Sequence, residues 1–83
     1  MYRIVLTRRA AKEIDALPKQ QQIRIVSALD LLQANPFAGK RLQGELSGAW
    51  SLRMWPYRII YTVEQKIITI TNLRVGHRQG VYR

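Results

Sequence analysis

Hydrophobic and polar positions alternate with a period of two at both ends of this chain and with a period near 3.6 in between. Residues 2–7, YRIVLT, set Tyr2, Ile4 and Leu6 against Arg3, Val5 and Thr7, the pattern of a strand. From Arg8 the period becomes helical: Ala10, Ile14 and Leu17 recur at spacings of four and three, Thr7 is placed to cap, and Pro18 ends the helix. A second helix is predicted from Lys19 to Gln33, with Ile25, Ala28, Leu29 and Leu32 on its core-facing stripe. Gln20, Arg24, Ser27 and Asp30 fall on the other side, while Ile23 and Leu31 lie off the stripe as exposed singles.

Asn35, Pro36 and Gly39 punctuate the end of that helix, and Gly44 and Gly48 keep the stretch to Ala49 irregular. Three strands follow. Residues 50–54 set Trp50, Leu52 and Met54 against Ser51 and Arg53; Pro56 marks a turn; residues 57–63 set Tyr57, Ile59, Tyr61 and Val63 against Arg58, Ile60 and Thr62. After a turn at Glu64–Gln65, KIITITNLRV is rich in β-branched residues and forms the last strand. The order β-α-α-β-β-β predicts one α+β domain over residues 1–83: a four-stranded antiparallel sheet with two N-terminal helices packed on one face and the other face open.

Composition narrows what that domain does. Fourteen Lys and Arg stand against five Asp and Glu, a formal charge of +9. A surplus of that size is normally retained because an anion binds it, and nucleic acid leads over an anionic membrane or an acidic protein. Arginine outnumbers lysine ten to four, and guanidinium forks suit phosphate oxygens and stack on bases. With no cysteine and one histidine, neither a disulfide framework nor a closed metal site is expected. The N-terminus has no apolar run of signal-peptide length, so a cytoplasmic location is the expectation.

Arg53 and Arg58 flank the Pro56 turn, and alternation directs both to the face opposite Leu52 and Ile59. Two opposed arginines are costly unless an anion lies between them. Arg74 ends the neighbouring strand, and Gly76 and Gly80 let His77, Arg78 and Tyr82 fold back toward the same place. The plain alternative is that these arginines are solvated strand residues that discourage edge pairing.

From Lys40 to Arg83 the chain resembles the RelE/ParE superfamily of bacterial and archaeal toxins, the toxic halves of type II toxin-antitoxin pairs. The segments KRLQGELSGAWSLRMWPYRIIYTV and LRVGHRQGVYR carry the resemblance: RLQG, YRIIY, LRVGHR and VYR reproduce, in order, the family's K-L-x-G, Y-R-aliphatic-x-Y, V-x-x-V-G-x-R and V-Y elements. RelE-like members are ribonucleases that cut messenger RNA in the ribosomal A site without a metal. The resemblance implies catalytic roles for Arg53, Arg58, Arg78 and Tyr82, with no cofactor; Lys40, Arg41, Trp55, Arg74 and His77 are the candidate RNA contacts. It implies as partners a cognate antitoxin, mRNA and ribosomal RNA, and no membrane. Where the family's RNases often carry a further lysine two residues before the Arg53 position, this chain has Ser51.

Metal-free RNA cleavage needs a base for the 2′-hydroxyl, charge stabilisation for the phosphorane and relief of charge on the leaving 5′-oxygen. Arginine, with a pKa of about 12 or higher, supplies only the electrostatic part. Proton transfer falls to Tyr82 or His77, the resemblance favouring Tyr82. Trp55 is the exposed aromatic suited to stacking on a base, and Trp50, in register with Leu52, belongs to the core. ParE-like relatives share the scaffold and inhibit DNA gyrase; a catalytically weak RNA-binding relative is the third class.

Overall fold

The computed structural model describes residues 2–75. Strand β1 (Arg3–Leu6) leads into helix α1 (Arg8–Asp15) and helix α2 (Lys19–Ala34). A two-residue strand β2 (Lys40–Arg41) and a 3-10 turn at Gly44–Leu46 precede strands β3 (Trp50–Met54), β4 (Tyr57–Glu64) and β5 (Ile67–Val75). Among the described residues no helix is long and apolar enough to cross a membrane.

The helices form where the pattern predicts, and for the reasons it suggests. The Thr7 hydroxyl accepts the Ala10 N–H at 3.0 Å and caps α1. Pro18, which carries no backbone N–H, stands at the N-cap of α2, and Asn35 closes its far end. Ala10, Ile25 and Leu32 from the helices meet Ile59, Tyr61, Ile68, Ile70 and Leu73 from the sheet in one cluster, each at 7% exposure or less. Fully burying an Ile or Leu side chain is worth about 1.5–3 kcal/mol, so this cluster holds both helices to one face.

The sheet differs from the four antiparallel strands predicted. Among the described residues it has five strands in the order β1-β5-β4-β3-β2, and β1 runs parallel to β5, from Arg3 opposite Ile67 to Leu6 opposite Ile70. The two helices between β1 and the meander act as a crossover, which returns the chain to the sheet in the direction that makes its last strand parallel to its first. The fifth strand comes from Lys40 and Arg41, which pair with Ser51 and Trp50 inside the stretch predicted to be irregular. The β4–β5 turn lies one residue later than predicted, at Gln65 and Lys66, both with positive φ (53° and 66°), as a tight hairpin turn requires.

Halfway along the β4–β5 ladder the register slips: Ile60 faces Asn72, but Tyr61 faces Ile70, which leaves Thr71 as an extra residue on β5. The bulge lets Ile68, Ile70 and Leu73 all reach the core, although Ile70 and Leu73 are three apart and would otherwise face opposite sides. Its polar groups are satisfied locally. Thr71 donates its hydroxyl to the Ile60 carbonyl at 3.1 Å, and the Thr71 carbonyl accepts the Thr7 hydroxyl at 2.7 Å.

Candidate nucleic-acid cleft

The register builds the site across three strands. Arg53 of β3 faces Arg58 of β4, and Arg58 faces Arg74 of β5, so these guanidinium-bearing residues form one row. Leu52, Ile59 and Leu73, their chain neighbours, point into the helix-covered side, so the row belongs to the opposite face. Directly opposed Cβ atoms on such ladders lie about 4.5–5.5 Å apart, and like charges so placed are destabilising. Arg53 and Arg74 are exposed and Arg58 is half-buried.

One row further along, Lys40 of β2 faces Ser51 of β3 and so shares the face of Arg53. A cleft of about 530 Å³ opens here, lined by Lys40, Arg41, Leu42, Gln43, Ser51, Arg53 and Arg58. Among the described residues, its lining contains four cationic residues and no carboxylate. A smaller hollow of about 280 Å³, between Arg9, Ile60, Asn72 and Arg74, extends the same face toward α1.

Arg41 borders the cleft, but its guanidinium carbon lies over the Trp50 ring, 5.8 Å from the centroid, as a cation–π contact. Trp50 packs on the core as predicted, tilted against Phe37 at 5.2 Å and stacked on Tyr61 at 6.4 Å. Trp55 lies in the β3–β4 turn with 51% of its surface exposed. Its carbonyl accepts a hydrogen bond from Arg24 Nη2 at 2.9 Å, which ties the turn to α2.

The structure therefore brings Lys40, Arg53, Arg58 and Arg74 to one face, with Arg41 and Trp55 at the margins. His77, Arg78 and Tyr82 lie outside the described residues. Sequence reasoning missed Arg9, Gln43 and Asn72 as neighbours of the site, while Ser51, which the alternation places on the face of Arg53, lines the cleft. It also missed Glu13. One oxygen of that carboxylate accepts the Leu73 N–H at 2.7 Å, beyond the point where the pairing of β1 with β5 ends at Leu6 and Ile70; the other accepts Arg9 Nε at 3.0 Å.

Chemically, the face offers fixed positive charge and planar donors, the equipment for holding a phosphodiester. Guanidinium groups are donors only, so the described residues of the row supply no base.

Comparison with known proteins agrees with this picture. The family model described as the ParE toxin of the type II toxin-antitoxin system, parDE, matches residues 4–82. Toxin RelG of Mycobacterium tuberculosis is 33% identical over 84 residues, covering 99% of this chain and 97% of that protein. Among solved structures, the RelBE2 toxin-antitoxin complex of M. tuberculosis superposes with a TM-score of 0.82 at 27% identity, covering 89% of this chain and 96% of that one. The isolated Escherichia coli RelE toxin shares the fold, with a TM-score of 0.81 at 23% identity over 99% of this chain and 92% of that one. A basic sheet face on this α+β scaffold is thus the toxin half of a type II toxin-antitoxin pair. The chain belongs to the RelE/ParE superfamily.

Proposed function

We propose that this toxin is a metal-independent endoribonuclease that cuts mRNA on the ribosome and thereby stops translation. The observation that carries the reading is the Arg53–Arg58–Arg74 row across three strands, next to a cleft where Lys40, Arg41, Arg53 and Arg58 gather. A phosphodiester placed there receives charge-assisted hydrogen bonds from the row. As the 2′-hydroxyl attacks the adjacent phosphorus, negative charge grows on the phosphorane oxygens, and Arg53 and Arg58 stabilise it. Arg78 joins them, and Tyr82 or His77 moves the proton, in the same reading. Lys40, Arg41 and Arg74 hold flanking phosphates, and Trp55 stacks on a base.

The partner in this reading is a cognate antitoxin. The M. tuberculosis neighbour was solved as a toxin-antitoxin complex, and an acidic antitoxin segment suits a basic face. The deciding experiment is a reconstituted translation reaction with purified toxin. Cleavage of mRNA that depends on the ribosome and is lost in Arg58→Gln supports the proposal. Intact mRNA overturns it.

A second reading, inhibition of DNA gyrase, is favoured by the ParE description of the matching family model. It predicts accumulation of gyrase–DNA breaks with mRNA intact, so the two readings separate in one pair of assays.

A further inference from the structure

We infer that Tyr61, buried on the helix-covered side of the sheet, is a positioning residue that sets the place of Lys40 in the cleft; this rests on the reading of the cleft as an RNA site. Lys40 belongs to a strand of two residues, too short to define its own position by ladder bonds. The preceding loop is held from behind. The Tyr61 hydroxyl donates to the Pro36 carbonyl at 2.9 Å and accepts the Gly39 N–H at 3.0 Å. Its ring is fully buried and stacked on Trp50, so the hydroxyl is a fixed post.

Gly39 leaves no slack in that seat. A Cβ there would stand 2.7 Å from the Ser51 carbonyl oxygen and 2.7 Å from the Tyr61 hydroxyl, so the backbone lies flush against β3. The next residue is Lys40, directly opposite Ser51. Fixing the Gly39 N–H therefore fixes the departure point of the Lys40 side chain, which leaves toward the opposite face, beside Arg53 and Arg58. Tyr61 acts on the cleft through one residue of backbone.

The test uses a fully 2′-O-methylated oligoribonucleotide, which lacks the attacking hydroxyl and reports binding alone. Each phosphate contact to a single strand contributes about −0.7 to the slope of log affinity against log salt. Lys40→Gln is expected to make the slope shallower by about 0.7, Tyr61→Phe to do the same, and the double variant to add nothing further. Gly39→Ala, which keeps the hydroxyl but pushes the loop off its seat, is expected to match them, and it decides the matter should Tyr61→Phe not fold. A Tyr61→Phe protein that melts earlier but keeps the wild-type slope overturns the inference, because a purely structural role changes stability and not the number of phosphates held. If Lys40→Gln itself leaves the slope unchanged, the inference falls with Lys40's assignment, while the cleavage assay with Arg58→Gln judges the nuclease reading separately.

Discussion

Arg53 and Arg58 are directly opposed partners on β3 and β4, so that two cationic side chains occupy one cross-strand position on the sheet's open face. Stability gains nothing from this pairing. Arg53→Gln is therefore expected to leave the melting temperature unchanged or slightly higher, while lowering mRNA cleavage by about 100- to 1,000-fold. Thermal melting and cleavage kinetics on the same preparation check both halves, and retained cleavage would reduce Arg53 to a solvated strand residue.

Trp55 tests the margin of the cleft. Its ring is half exposed at the end of the hairpin that carries both arginines. Stacking on one base is worth about 1–3 kcal/mol, so Trp55→Ala should weaken binding of a single-stranded oligoribonucleotide by about 5- to 150-fold. Unfolding free energy should move by no more than about 0.5 kcal/mol, as for other surface changes. Fluorescence anisotropy and urea titration measure the two quantities.

Thr7 serves two elements with one hydroxyl, accepting from the first turn of α1 and donating to the carbonyl of the bulged Thr71. A lost cap costs about 1 kcal/mol and a lost hydrogen bond about another. Thr7→Ala should thus destabilise by about 2 kcal/mol in urea unfolding, and Thr7→Ser should recover most of it.

Tyr61 gives the fold an alkaline limit. Burial raises the pKa of its phenol above the ordinary value of 10.0, with the Gly39 N–H working the other way. A raised pKa means that the folded state prefers the neutral phenol. The associated stability is present below pH about 10 and is lost as pH rises through the folded-state pKa. Melting temperatures from neutral to strongly alkaline pH should fall more steeply for the wild type than for Tyr61→Phe, and absorbance at the phenolate band should show a late-titrating tyrosine.

Local pattern carried much of this structure. The stripe of Ile25 and Leu32, the Thr7 cap and the alternation through β3 and β4 are properties of neighbouring residues, and each formed as read. The alternation also announced the shared face of Arg53 and Arg58, because side-chain direction in a strand follows from parity, whereas Arg74 reaches that face only through the Thr71 bulge. What stayed hidden depends on distant partners. Nothing near Arg3–Leu6 says that β1 will lie parallel to a strand more than sixty residues later, and nothing in Lys40–Arg41 says that two residues among glycines will pair. Glu13 joined the surroundings of the site only because β1 ends before Leu73, an arrangement visible once the sheet is assembled.

The extra residue at Thr71 divides β5 into two lengths that answer to different demands. From Ile67 to Ile70 the strand is committed to β1 and the helices; from Asn72 to Val75 it carries the arginine row outward. Since the offset absorbs the phase difference, the open-face positions Asn72 and Arg74 can change for a new target while Ile68, Ile70 and Leu73 keep their packing. One scaffold can in this way turn toward different victims without being rebuilt.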